Sequence, residues 1–301
     1  MQTILPERYL KQWQMEQLAR ESLQEIRLRA GKPLMIICNG IEQEYPDIIV
    51  DKRDVEQIFG WLCGYGVYAY QDEMVKGYIT VKGGHRIGIS GQTVCDMQGN
   101  VTQIKYVSSL LIRVGHEIRG VAKPLLKQLY RNGTVLSTLI LAPPGCGKTT
   151  LLRDLVREVS DGNSFGIGQN VSLIDEREEI AHMYMGAPLL DVGKRTDVIS
   201  GCEKAVGMEM CLRALAPQVV AVDEIYSEKD VEAVKRLKGC GCAILATHHA
   251  YTFEEFQEKN FGREILGQKI FDRFILLAKT EGKFHVKDIL EDEDSKVGIG
   301  K

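Results

Sequence analysis

The segment 142–149 carries the clearest chemistry in this sequence: Ala-Pro-Pro-Gly-Cys-Gly-Lys-Thr, between an apolar run and a helical pattern. A strand, a glycine-containing loop and a helix in this order are typical of a phosphate-binding P-loop. Its glycines let backbone N–H groups face a polyphosphate, its lysine reaches the outer phosphates, and the helix adds its positive end. The alternative is an ordinary glycine-proline turn. The predicted nucleotide-binding residues are Pro144, Gly145, Cys146, Gly147, Lys148, Thr149 and Thr150.

Two carboxylates, Asp223 and Glu224, follow the apolar run 219–222 later in the chain. Parallel α/β sheets bind their ligands at such carboxyl ends of strands. In a P-loop protein, Asp223 is expected to bind Mg²⁺ through water, together with the Thr149 hydroxyl. Glu224 is then the candidate to orient or deprotonate the water that attacks the terminal phosphate. The alternative is a solvated strand end.

A second acidic strand end lies between these motifs, at residues 172–179. It places Asp175 and Glu176 at the same predicted edge of the sheet, where they are candidates for metal or water positioning. The alternative is a charged loop followed by the start of a helix.

Residues 242–246 form another apolar run, which ends in Thr247, His248 and His249. A hydroxyl or an imidazole at this edge could hydrogen-bond to the terminal phosphate. Neighbouring histidines on a strand point to opposite faces, so we do not expect a zinc site. Cys240 and Cys242 have no second cysteine pair at a suitable spacing. We interpret both cysteines as small packing residues.

These motifs lie in the second half of the chain, where short apolar runs alternate with helical patterns, as in a covered, mostly parallel sheet. Residues 281–283 predict a closing hairpin, and residues 291–294 begin an acidic tail. The predicted strands are 135–141, 171–174, 219–222, 242–246 and 273–277.

The first half predicts a smaller α+β domain that ends near Gly120. Residues 1–23 would form either a partner-docking helix or a covering helix. The remaining predictions for this half are a helical pattern over 9–28, a strand at 34–37, a helix at 54–63, and hairpins at Asn39-Gly40 and across 77–90.

Composition narrows the functional classes. The chain of 301 residues is 44% hydrophobic and 26% charged, as in soluble proteins of two domains. Its net charge of −3 gives no general electrostatic attraction to nucleic acid or to an anionic membrane. No apolar run reaches the length of a transmembrane helix. Because residues 1–8 lack a signal sequence and Cys146 lies in the loop, we expect a reduced, cytoplasmic protein.

Four motifs in this order make the chain resemble the secretion ATPase superfamily of type II and type IV secretion and pilus motors, over about residues 23–279. The superfamily's Leu-Arg motif matches residues 212–217, its acidic box 174–179 and its histidine box 241–250. Residues 25–33 and 86–90 look like weaker versions of its N-terminal domain. The short length and the sequence of residues 174–177 are most similar to one particular branch. The chain departs from the pattern at Asp223, usually Gly, at Tyr226, usually Arg, and at Cys242, usually His.

The resemblance implies a RecA-like ATPase core after an α+β N-terminal domain, with ATP and Mg²⁺ as ligands. It implies a ring-shaped homohexamer at the inner face of a membrane, acting on an integral membrane partner. It places His249 on the superfamily's second histidine. Phosphates would be contacted by arginines of the N-terminal domain, for which the candidates are Arg86, Arg113 and Arg119.

Two other functions stay open. One is a nucleic-acid-stimulated ATPase, in which Lys194 and Arg195 would line a ring pore, although no basic stripe with aromatic residues supports it. The other is a nucleotide-dependent assembly switch with very slow turnover. A GTPase is disfavoured because the sequence has no Asn-Lys-x-Asp motif.

Overall fold

A computed structural model describes residues 4–13, 23–81, 85–114, 118–184, 186–280 and 283–291. They divide into two compact units, one within Met1–His116 that also takes in His182–Leu189, and one within Glu117–Ala181 and Leu190–Lys301. The domain boundary near Gly120 stays a prediction. Within the described ranges, no helix has the length and apolar composition needed to cross a bilayer.

The first unit is an antiparallel sheet with short helices. Its elements are α1 (Glu7–Gln12), β1 (Leu23–Arg29), β2 (Lys32–Cys38), β3 (Ile41–Val50), α2 (Lys52–Leu62), a 3₁₀ turn (Val67–Tyr70), α3 (Gln71–Met74), β4 (Tyr78–Val81), β5 (His85–Cys95) and β6 (Val101–Arg113). The strands pair in the order β3-β2-β1-β6-β5-β4. The predicted α+β character of this unit is therefore confirmed.

Local sequence explains several of these elements. Helix α2 begins at a capping box, in which the side chains of Asp51 and Asp54 accept each other's backbone N–H. It buries Val55, Ile58 and Phe59 in the core of this unit. The turn between β2 and β3 contains Asn39 and Gly40, both with positive φ, as expected for a two-residue hairpin.

The helical pattern predicted over residues 9–28 is wrong at its carboxyl end. Helix α1 ends at Gln12, residues 14–22 lie outside the described ranges, and β1 begins at Leu23. In β1 the buried Ile26 and Leu28 alternate with the half-buried Arg27, which is the period of a strand. A β-bulge between Leu23 and Glu25 interrupts that alternation in the sequence. The partner-docking or covering role of residues 1–23 falls mostly outside the described ranges.

The second unit contains the motifs. In chain order, the elements after β6 are a 3₁₀ turn (Lys123–Leu125), α4 (Leu126–Leu129), β7 (Tyr130–Arg131), β8 (Thr134–Val135), β9 (Thr138–Ala142), α5 (Lys148–Asp161), β10 (Gly162–Asn163), β11 (Gly166–Ile167), β12 (Val171–Asp175), β13 (Met183–Tyr184), β14 (Ala187–Pro188), β15 (Thr196–Ser200), α6 (Lys204–Ala214), β16 (Val219–Val222), α7 (Glu228–Gly239), β17 (Ala243–His249), α8 (Phe253–Glu258), α9 (Asn260–Gly267), β18 (Arg273–Thr280) and β19 (Lys283–Glu291). The short pair β13-β14 belongs to the first unit.

A seven-stranded sheet forms the centre of the second unit, in the order β15-β12-β16-β17-β9-β18-β19. All neighbours are parallel except β18 and β19, which confirms the predicted, mostly parallel sheet. Every residue of β9, β12 and β16 is buried. Because these strands run in the same direction, the P-loop and the acidic and histidine strand ends come to one edge.

Both edges of this sheet differ in detail from the sequence prediction. Strand β15 was not predicted, because it is a partly exposed edge strand that lacks a long apolar run. The closing hairpin is present as β18 and β19, although residues 281–282 of its turn lie outside the described ranges. Glu291, predicted to begin an acidic tail, ends β19 and pairs with Arg273; residues 292–294 are not described.

Candidate nucleotide-binding site

The P-loop joins the end of β9 at Ala142 to the start of α5 at Lys148. Gly145 (φ 70°) and Gly147 (φ 80°) have left-handed backbone conformations, which glycine adopts without strain. A Cβ atom at Gly147 would lie 2.5 Å from the ring of Phe284, whereas one at Gly145 would meet nothing within 4 Å. Both glycines are therefore needed for backbone shape, and Gly147 is also needed for space.

Alanine substitutions should separate these two requirements. Gly145→Ala should cost about 1–2 kcal/mol of unfolding free energy, from left-handed strain alone. Gly147→Ala should cost more, because Phe284 must also move away from the new methyl group. Urea unfolding of both variants without nucleotide measures the difference. Equal losses would show that the contact with Phe284 places no constraint on the loop.

Lys148 is buried and bonded to neighbouring groups. Its Nζ lies 3.3 Å from the carbonyl oxygens of both Ala142 and Pro143, and 2.8 Å from Nδ1 of His249. Burial lowers the pKa of Lys148, against the opposing attraction of Glu224 and Asp223. The structure thus brings together Lys148, the candidate phosphate-binding lysine, and His249 of the predicted histidine box.

Thr149 and Asp223 form the candidate Mg²⁺ site. Thr149 Oγ1 donates to Asp223 Oδ2 at 3.0 Å. Thr247 Oγ1 donates a short hydrogen bond to Asp223 Oδ1 and accepts the backbone N–H of Glu224 at 2.9 Å. A hydroxyl and a carboxylate at this spacing fit Mg²⁺, which takes few protein oxygens beside substrate phosphates.

Glu224 lies next to this pair with both carboxylate oxygens engaged. Oε1 is 2.5 Å from Nε2 of His249, and Oε2 is 2.8 Å from Nη1 of Arg177. Burial alone would raise the pKa of Glu224, but the hydrogen bond with His249 and the positive charges of Arg177 and Lys148 outweigh it and lower that pKa. The backbone of Glu224 is left-handed (φ 50°), an unusual conformation that its N–H bond to Thr247 supports.

The two neighbouring histidines have different environments. His248 is buried, lies 2.8 Å through Nδ1 from the carbonyl oxygen of Ile225, and stacks on Phe261 at 4.5 Å. Burial lowers its pKa, which favours a neutral, structural ring. His249 faces Lys148 and Glu224 instead, so the alternation of the strand separates a packing histidine from a site histidine.

Asp175 is buried, and its contacts favour a positioning role over direct catalysis. Its carboxylate accepts the backbone N–H groups of Glu179 (3.0 Å), Ile180 (3.0 Å) and Ala181 (2.8 Å). These bonds hold the loop after β12 in place. Burial raises the pKa of Asp175 to about 6, although the three N–H groups oppose this.

This pKa predicts a pH dependence of stability. The pKa of the Asp175 carboxyl is near 3.8 in the unfolded chain and about 6 in the folded protein, so the folded state binds the proton more tightly. The stabilisation that this proton gives the folded state is fully present below pH 3.8. As the pH rises through about 6, wild type should lose roughly 3 kcal/mol relative to Asp175→Asn. Urea unfolding of both proteins between pH 4 and 7.5 tests this. Parallel stability profiles would contradict it.

Glu176 lies at the same edge and pairs with Lys204 at 2.5 Å. The Lys204 ammonium also lies 4.7 Å from the ring centroid of Tyr226, the residue found where the superfamily usually has Arg. Glu176, Arg177, Lys204 and Glu224 line one small cavity with Asp223. The acidic side chains predicted at this edge of the sheet therefore lie close together, with the cations Arg177 and Lys204 among them.

The candidate arginines have separate surroundings. Arg86 and Arg113 are register partners across β5 and β6 in the first unit. Arg86 stacks on Tyr78 at 3.9 Å, and Arg113 lies 3.6 Å from Glu25.

Arg119 belongs to the second unit and pairs with Asp191 at 3.2 Å. Whether these three arginines contact phosphate stays a prediction.

Two contacts of the site were not predicted from the sequence: that of Arg177 with Glu224 and that of Thr247 with Asp223. The sequence does contain a signal for each: Arg177 is a cation inside a run of acids, and Thr247 is a hydroxyl at the end of a predicted strand. Of the two cysteines interpreted as packing residues, Cys242 is buried, but Cys240 is exposed at the end of α7 and the prediction fails there.

Comparisons with known proteins show the family and the fold of this chain. The family model for sporulation stage III protein AA matches residues 1–297. Stage III sporulation protein AA of Bacillus subtilis (strain 168) is 34% identical over 275 residues, which cover 91% of this chain and 88% of that protein. This is the branch to which residues 174–177 and the short length pointed, and that prediction is confirmed.

Solved structures of a pilus motor and of an ATPase share the fold. The pilus retraction motor PilT with bound ADP aligns with a TM-score of 0.62 at 15% identity, over 94% of this chain and 82% of that chain. The ATPase DotB of Legionella pneumophila aligns with a TM-score of 0.60 at 13% identity, over 91% and 78%. The predicted RecA-like P-loop core, preceded by an α+β domain, is confirmed.

Proposed function

The chain belongs to the sporulation stage III protein AA family, and we propose that it is an Mg²⁺-dependent ATPase that powers a ring-shaped motor. The observation that carries this proposal is the 3.0 Å contact of Thr149 with Asp223, beside the P-loop and the carboxylate of Glu224. A hydroxyl after the P-loop lysine and an acid at a neighbouring strand end are what P-loop nucleotide hydrolases use around Mg²⁺.

Each side chain then has a defined task. The loop N–H groups and Lys148 would bind the outer phosphates of ATP. Thr149 and Asp223 would hold Mg²⁺, which neutralises charge on those phosphates. Glu224 would orient the attacking water and accept its proton, giving ADP and inorganic phosphate. Thr247 fixes Asp223 and the Glu224 backbone relative to each other.

We further propose a homohexamer at the cytoplasmic face of a membrane in the mother cell, acting on an integral membrane component of a sporulation channel or secretion-like assembly. The sporulation relative and the motor among the structural neighbours support this. Arg86, Arg113 and Arg119 would contact phosphates of their own or a neighbouring subunit.

A nucleic-acid-stimulated ATPase receives less support. Arg195 lies against the end of α5, where its N–H bonds to Ser160 Oγ at 2.7 Å and its Nη1 to the Ser160 carbonyl oxygen at 3.1 Å. The backbone N–H of Lys194 bonds to Asp161 at 2.9 Å. Through these contacts, residues 194 and 195 are held against the carboxyl end of α5 in the second unit.

The experiment that tests the motor proposal is light scattering with and without Mg-ATP, using Glu224→Gln to keep ATP intact. We expect a nucleotide-dependent rise from the mass of one chain to that of six. Steady-state turnover is measured in parallel with single-stranded DNA added. A monomer at all ATP concentrations would contradict the ring. Stimulation by DNA would favour the nucleic-acid alternative, and assembly with negligible turnover would favour the switch.

A further inference from the structure

Four side chains form one continuous series of polar contacts from the P-loop to the loop after β12. Lys148 Nζ is 2.8 Å from His249 Nδ1, His249 Nε2 is 2.5 Å from Glu224 Oε1, and Glu224 Oε2 is 2.8 Å from Arg177 Nη1. A single imidazole therefore joins the candidate phosphate-binding lysine to the candidate catalytic glutamate.

At each end of this series, a side chain with a proposed role at the nucleotide is bound to protein groups instead. The ammonium group of Lys148 is in hydrogen-bond contact with His249 and with two loop carbonyl oxygens. Glu224 has one carboxylate oxygen on the imidazole of His249 and the other on the guanidinium of Arg177, so both oxygens are already in contact with a partner. A water-activating base in this arrangement is restrained.

A nucleotide would compete for the same contacts. A polyphosphate binds lysine ammonium and pairs with arginine in a two-bond geometry. The Arg177 side chain is 57% exposed, so it can turn towards an anion without leaving a buried site. Movement of Lys148 and Arg177 to phosphate removes one direct partner of Glu224 and one partner of His249.

We propose that Arg177 and His249 form a latch on Glu224, which binding of a nucleoside triphosphate opens by drawing Arg177 and Lys148 to its phosphates. This inference rests on the proposed function, because it concerns regulation of the same site. The latch holds both carboxylate oxygens of Glu224 until phosphate is present, and the bound nucleotide releases Glu224 for the attacking water.

The backbone at both ends of the latch is fixed. The loop that carries Arg177 is held by the three N–H bonds to Asp175. The left-handed backbone of Glu224 is held by Thr247. Opening therefore requires only side-chain rotation, and the partly exposed ion pair presents a small barrier.

Titration calorimetry with Mg²⁺ and a non-hydrolysable ATP analogue tests the movement of Arg177. Arg177→Gln should weaken binding by about two- to fivefold, because Arg177 exchanges its ion pair with Glu224 for a stronger contact with phosphate. Arg177→Lys should keep most of the affinity. The matched control is Arg236→Gln on α7, since Arg236 is 56% exposed and is also paired with carboxylates. Unchanged or tighter binding of the analogue by Arg177→Gln would overturn the latch, because Arg177 would then make no contact with phosphate.

A second measurement follows the contact between Lys148 and His249. Imidazole nitrogen NMR of His249, assigned with His249→Gln, should show Nε2 protonated and Nδ1 accepting from Lys148. Adding Mg²⁺ with a non-hydrolysable ATP analogue should shift the Nδ1 resonance, and no shift would overturn the latch. A shift without any turnover would support the latch and count against the ATPase proposal. Turnover with an unmoved Nδ1 resonance would do the reverse.

Discussion

Glu224→Gln is expected to lose at least about a hundredfold in steady-state ATP turnover while it still binds ATP. Glutamine has the shape of glutamate and can keep a hydrogen bond to His249 or Arg177, but it cannot take a proton from water. The P-loop, Lys148 and Asp223 are unchanged, so nucleotide affinity should stay close to wild type. Phosphate release and equilibrium binding of a fluorescent ATP analogue measure the two quantities separately.

The control for Glu224→Gln is Glu232→Gln, the same chemical change on the exposed face of α7, where Glu232 pairs with Arg236. Its turnover should match that of wild type. Wild-type turnover in Glu224→Gln would remove Glu224 from the catalytic role, and loss of nucleotide affinity would make it a binding residue.

Lys148→Ala is expected to weaken ATP binding by about 10- to 150-fold, the effect of losing one or two charge-assisted hydrogen bonds to phosphate. Folding should not suffer in proportion, because the substitution also removes a buried charge whose pKa burial already lowers. Titration calorimetry gives the affinity, and urea unfolding gives the stability of the same samples.

Lys235→Ala is the matched control, since Lys235 forms an ion pair with Glu264 on the helical surface of the same unit. It should bind ATP as wild type does. If Lys148→Ala bound ATP with unchanged affinity, segment 142–149 would not be the phosphate-binding loop.

The parts of the fold that the sequence predicted well are those whose signals are local. Strands β9, β12 and β16 are buried on both faces and therefore appear as short apolar runs, each followed directly by the residues of interest. Because β17 lies between β16 and β9 in a parallel sheet, its terminal His249 comes to the same edge. The order of motifs was enough to predict this.

Other features depend on distant contacts. Strand β1 was hidden by its bulge and by the charged Glu25 and Arg27 between its buried residues. The pair of Arg177 and Glu224 exists because Asp175, a residue expected to act in catalysis, accepts three N–H groups and shapes the loop that carries Arg177. The spacing of residues along the sequence does not predict loop conformations of this kind.

The most direct test of the central claim is phosphate release from ATP by the purified full chain, compared with Glu224→Gln, in Mg²⁺ and again in excess EDTA. We expect turnover by wild type that needs Mg²⁺ and is lost in the variant, while both proteins bind ATP. Turnover that is equal in the two proteins, or no turnover in wild type with Mg²⁺ under conditions where it binds ATP and assembles, would contradict it.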